Sequence, residues 1–125
     1  MQHILDKASA ATLADLALLR ADLKAKMPAK KIDQNLIIGT WNIRGFGDIT
    51  RKEVSGSKDS PKRDYHSVLC IAEIIKCFDV IAVQEIKSNL KALRDTLKVL
   101  GDDWSLILTD VNRGDVGNGE RHGVF

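Results

Sequence analysis

Two apolar runs of strand length, "NLIIGTWNI" and "DVIAVQEI", flank a single helical pattern, and both are apolar at consecutive positions. Strands of that kind suit a parallel sheet covered on both faces. Parallel neighbours need a crossover, which is right-handed in nearly every known case. The intervening segment fits that role. Ser60 is placed as N-cap and Pro61 at the first helical position, with Val68, Ile71, Ala72, Ile75 and Phe78 as the apolar side. After the second strand, Ser88 or Asn89 caps another helix that turns Leu90, Leu93, Leu97 and Leu100 inward and ends at Gly101. "WSLILTD" reads as a third strand and "RHGVF" as the start of a fourth. Alternation of this order predicts an α/β fold. The 125 residues suffice for one core. Residues 44–60, rich in Gly, Ser and charge, form a connection long enough to be either functional or disordered.

The chain divides into residues 1–30, a helix and linker, and a body over residues 35–125. Within residues 4–27, Leu13, Leu16, Leu19, Leu23 and Met27 recur at helical spacing as one apolar stripe. That helix either docks on the body or hangs from it as a mobile appendage. The alternative is a coiled-coil seam for self-association, although two heptads fall short of the usual length. Pro28, Lys30 and Lys31 make a basic linker.

A net charge of +2 is too mild to announce nucleic-acid binding, while local basic patches stay open. No uncharged apolar run approaches ~18 residues, so no membrane span is expected. Asp6, Lys7, Asp15, Arg20 and Asp22 break up any signal peptide. A cytoplasmic protein is the expectation. Cys70 and Cys77 sit seven helical positions apart, a rise of roughly 10 Å, beyond the ~7 Å limit for bridging. They are expected to be buried free thiols in a reducing compartment.

If the two runs are parallel neighbours, Asn42 and Glu85 lie at the same carboxyl edge, where open α/β sheets bind ligands. A carboxylate and an amide oxygen are hard donors that suit Mg²⁺ or Mn²⁺. Such an ion keeps waters and takes substrate phosphate into its shell. The plainer alternative is that Asn42 starts a turn and Glu85 caps the next helix. Arg44, Arg51, Lys52 and Lys58 could grip phosphates, or simply be solvated, since Glu53 and Asp59 dilute their charge.

"TWNIRGFG", then "FDVIAVQEIK", then "GNGER" resemble, in this order, the endonuclease/exonuclease/phosphatase superfamily, and most nearly its pancreatic-type deoxyribonuclease branch with bacterial relatives. The likeness runs from about Asn35 to Phe125. It implies the N-terminal half of a two-sheet, four-layer α/β-β/α sandwich, preceded by an extra helix. It further implies a divalent-metal-dependent phosphodiesterase, a DNA endonuclease, using Mg²⁺, Mn²⁺ or Ca²⁺. RNA or another phosphoester is the alternative substrate. By resemblance, Asn42 and Glu85 match metal-site residues, and Glu120 matches a glutamate that orients a catalytic histidine. Lys87 matches a contact to the nucleic-acid backbone.

The family's catalytic histidine, its Asp-x-Asn motif and its closing Asp-His pair have no counterpart before Phe125. His3, His66 and His122 stand in other contexts, and His66 is expected at a helix boundary or surface. The 125 residues alone are therefore expected to be inactive. The rival expectation is a non-catalytic half-domain that binds nucleic acid or a protein partner. Two further motifs fail. "GFGDIT" has Thr50 where a dinucleotide fingerprint needs glycine. "DVNRGDVGNGER" has Asp115 at the glycine position and Arg121 at the closing glutamate of a calcium loop.

Overall fold

A computed structural model describes residues 2–108 and 120–125, with only the backbone included at 120 and 121. The element order is α1 (Ala10–Lys26), β1 (Ile38–Phe46), α2 (Tyr65–Ile75), β2 (Val80–Lys87), α3 (Lys91–Leu100), β3 (Ile107–Leu108) and β4 (Glu120–Val124). Among the described residues the strands form one sheet in the order β1-β2-β4-β3. The β1–β2 pair is parallel, as expected, with Ile38 beside Val80 and Asn42 beside Gln84. The last strand then inserts antiparallel between β2 and β3, so the sheet is mixed. The expected third strand begins later than its sequence suggests, at Ile107, and residues 109–110 of it lie outside the described set.

The core lies between one sheet face and the helices. Ile43 and Phe46 of β1, and Ile81, Val83 and Ile86 of β2, pack with Val68, Ala72 and Ile75 of α2, Leu93 of α3, and Phe125. Close approach on this face explains two glycines. A Cβ at Gly39 would stand 2.3 Å from the Phe78 ring, and one at Gly123 2.6 Å from Ile86. The opposite face departs from expectation. Thr40, Ala82, Val124 and Ile107 follow one another across the register. Ile107 is 73% exposed there and Ile38 64%. Both-face coverage was inferred from unbroken apolar runs. Such runs show that a face is suited to burial, but not that the same chain supplies the cover.

Helix starts differ from expectation for a local reason. The Ser60–Pro61 segment does not begin α2, because its carbonyls are taken by the preceding loop. Thr50 Oγ1 donates to Pro61 O, Ser55 Oγ to Lys62 O at 2.7 Å, and Thr50 N to Arg63 O at 2.9 Å. The Ser60–Pro61 bond is cis. Asp64 is the N-cap instead, accepting from Ser67 N and Oγ, both at 2.9 Å. These bonds also order residues 47–64. At α3 the cap position is Leu90, without a side-chain bond, while Asn89 Oδ1 accepts from Lys91 N at 2.9 Å. Gly101, at φ 89°, ends α3 with its N–H on Leu97 O.

The N-terminal helix begins at Ala10 behind a Ser9 cap, later than the stripe suggested, and it is docked. Leu16 is buried, Leu19, Leu23 and Met27 are half-buried, and Leu13 is exposed. Arg20 meets Glu73 of α2 at 2.8 Å, and His66 Nε2 meets Asp15 at 3.0 Å. Glu53 of the long loop accepts from Ser9 N, Ser9 Oγ and Thr12 Oγ1. Those bonds, led by the Ser9 hydroxyl, pull its pKa from 4.5 down to about 2. The linker is tied as well, with Lys30 over the Trp104 ring at 5.2 Å. Ahead of the helix, Ile4 enters the core and Tyr65 Oη donates to Gln2 O at 3.0 Å.

Candidate functional site

The turn after Asn42 is a wide bulge in an edge of the sheet. Asn42 pairs with Gln84 and Phe46 with Ile86, so Ile43, Arg44 and Gly45 stand opposite Glu85 alone. On its other side, β2 shifts register against β4 between Val83 and Ile86. Both ladders therefore break at Glu85, and the break restores Phe46 and Ile86 to the buried face. Arg44, Gly45 and Glu85 all have positive φ, at 34°, 60° and 61°. For arginine and glutamate that conformation costs energy and persists only where surrounding structure imposes it. Strain of this kind clusters at functional sites.

The bulge brings the two expected metal donors together. Arg44 N donates to Asn42 Oδ1 at 3.1 Å, and the next amide, Gly45 N, donates to Glu85 Oε2 at 3.2 Å. Asn42 thus forms the turn that was its plainer alternative, and it does so beside the carboxylate. Glu85 lies within β2 and caps no helix, which corrects the alternative offered for it. Asn42 is exposed and Glu85 half-buried. A carboxylate has about four lone-pair sites and an amide oxygen two, so one N–H each leaves both able to accept more.

Cations surround this edge. Arg44 is exposed on the bulge itself. Lys87 lies along the two glycines of "RGFG": a Cβ at Gly47 would stand 2.8 Å from Lys87 Cβ, and one at Gly45 3.8 Å from its Cε. Close packing at Gly47 and positive φ at Gly45 are why that stretch needs both glycines. Arg51 is exposed further along the loop. Glu120 enters as backbone, paired with Lys87, and its side chain lies outside the described residues.

Sequence inspection missed Arg63. Its Nη1 donates to Gly45 O at 3.0 Å, and its Nη2 to Ile43 O at 3.0 Å and Arg44 O at 3.2 Å. The guanidinium also lies 5.3 Å from the Phe46 ring centroid. Burial lowers its pKa from the ordinary arginine value. The signal available was only the position, an arginine just ahead of a capping aspartate. Beside it, an open depression of about 520 Å³ is lined by Trp41, Asn42, Arg63, His66 and Cys70 among others.

Cys70 and Cys77 are free, but half-buried rather than buried. Burial foremost, with nearby carboxylates, raises both thiol pKa values. Among the described residues no group of three or more His, Cys, Asp or Glu side chains is placed to hold a metal ion. No described helix is long and apolar enough to cross a membrane. No family model, curated protein or solved structure matches the chain.

Proposed function

We propose that the chain carries the metal-binding part of a divalent-metal-dependent phosphodiesterase, a DNA endonuclease, in which Asn42 and Glu85 are the donors. One observation carries this reading. Two side-chain oxygens accept from consecutive amides of a positive-φ bulge at the carboxyl end of parallel strands. One carboxylate and one amide oxygen fit Mg²⁺ or Mn²⁺, which are held by few protein ligands and completed by water and phosphate. The chemistry such an ion supplies is polarisation of a phosphate oxygen. Arg44 and Lys87, flanking the donors, would hold and orient the phosphodiester backbone. Glu120 would position a histidine that takes a proton from water, the role that the resemblance implies for it. On this reading the sheet is one half of a two-sheet sandwich.

A second reading, a binding half-domain without chemistry, is favoured by the exposed Ile38 and Ile107 on the sheet face away from the core. Calorimetric titration of the chain with Mn²⁺, beside Glu85→Gln, separates the two. The phosphodiesterase reading expects binding that the substitution abolishes. Equal heats from both proteins would refute it.

A further inference from the structure

The bulge is gripped from both sides through the same peptide groups. The peptide joining Ile43 to Arg44 offers its carbonyl to Arg63 Nη2 and its N–H to Asn42 Oδ1. The next peptide, joining Arg44 to Gly45, offers its carbonyl to the same Nη2 and its N–H to Glu85 Oε2. A peptide group is a rigid plane. Fixing its carbonyl therefore fixes the direction of its N–H about 180° away. A cation on the carbonyl also polarises the group and strengthens the bond its N–H donates. Arg63 reaches a third carbonyl, that of Gly45, through Nη1.

We infer that Arg63 is a positioning residue for the Asn42–Glu85 pair, acting through these two peptide planes without touching the ligand. The inference rests on the metal-site reading above and adds how the two donors are held. Three features favour it. Ile43, Arg44 and Gly45 are left out of the ladder with β2, so their carbonyls depend on some other donor. Arg44 and Glu85 sit at positive φ, so the bulge would relax if it were released. The planar fork of arginine carries two nitrogens in fixed geometry to three carbonyls, whereas an ammonium is a single donor atom on a flexible stem. Stacking on Phe46 and the bond from Thr50 N to Arg63 O hold the arginine itself in place.

The test uses the full chain as wild type, Arg63→Gln, Arg63→Lys and Glu85→Gln, with two readouts. Amide hydrogen exchange by NMR follows Arg44 and Gly45, against Val68 and Val83 as markers of the intact core. Mn²⁺ affinity is measured by calorimetry. Arg63→Gln should speed exchange at Arg44 and Gly45 while Val68 and Val83 keep their protection. It should also weaken Mn²⁺ about 10- to 100-fold, the usual range for partners that orient a metal ligand. Arg63→Lys should fall between wild type and Arg63→Gln, and it carries the test if the glutamine variant does not fold. Unchanged exchange at both amides overturns the inference. So does faster exchange with unchanged Mn²⁺ affinity, provided wild type binds and Glu85→Gln does not. If wild type shows no Mn²⁺ binding sensitive to Glu85→Gln, the metal-site reading fails instead, and the donor-orienting role falls with it. The exchange data then still decide whether Arg63 holds the bulge.

Discussion

Replacing Glu85 with glycine and, separately, with alanine isolates the cost of its backbone conformation. Both substitutions remove the carboxylate and the bond from Gly45 N, so that loss cancels in the comparison. What differs is a Cβ at φ 61°. The left-handed conformation costs an L-residue roughly 1–2 kcal/mol. Glycine carries an entropic penalty of about 0.5–1 kcal/mol relative to alanine. Taking mid-values, Glu85→Gly should be the more stable by about 0.75 kcal/mol. At an ordinary strand position the order reverses, with alanine ahead by about 0.5–1 kcal/mol. The two cases therefore lie about 1.5 kcal/mol apart. In urea unfolding, with a slope of about 1.5 kcal/mol per molar, the expected difference is a midpoint about 0.5 M higher for glycine. Equal slopes for the two variants would show that the denatured states match. An alanine variant more stable than the glycine variant by about 0.5 kcal/mol would show that Glu85 is not in the left-handed region, and the bulge as described would be wrong.

Other expectations follow from the N-terminal contacts and the thiols. A chain beginning at Lys31 loses the buried Ile4 and Leu16 and should be about 3 kcal/mol or more less stable to urea. Equal stability would mean that the helix is an appendage after all. Glu53 has a depressed folded pKa, so its contribution is present above 4.5 and is lost as pH falls towards about 2. The stability gap between wild type and Glu53→Gln should therefore close across that window, and a constant gap would contradict the Ser9 and Thr12 bonds. Cys70 and Cys77, with raised pKa values, should react more slowly with a disulfide reagent than a free thiol at pH 8. Their intact mass without reductant should show no loss of two hydrogens.

The parallel strand pair and its helix were legible because they rest on local pattern. Val68, Ile71, Ala72 and Ile75 repeat at helical spacing, and the runs ending in Asn42 and Glu85 are unbroken. The insertion of β4 between β2 and β3 was not legible, since a five-residue strand carries no mark of its partners. Ser60 and Pro61 form a strong helix-start signal, yet tertiary bonds from Thr50 and Ser55 override it. At the candidate site, Asn42 and Glu85 could be named because strand ends are predictable. Arg63 could not, because its partners are main-chain carbonyls, which every residue possesses. Asp95 of α3, fully buried, was not singled out either, because its i,i+4 pairing with a lysine is the pattern of an exposed helix face. Its place on α3 is set by Lys91, whose Nζ is 2.8 Å from Oδ2 and 3.0 Å from Oδ1 with bonding geometry to Oδ1 alone.

Among the described residues β1 is an outer strand, and outer strands invite stray pairing with other chains. The bulge works against that hazard at the strand's carboxyl end. Arg44 and Gly45 are turned out of extended geometry, and the carbonyls that an incoming strand would seek already accept bonds from one guanidinium. Freeing those carbonyls would flatten the edge and lengthen the template open to intermolecular pairing. Variants at Arg63 should therefore form aggregates faster under mildly destabilising conditions than their loss of stability alone accounts for. The arginine would then serve solubility as much as geometry.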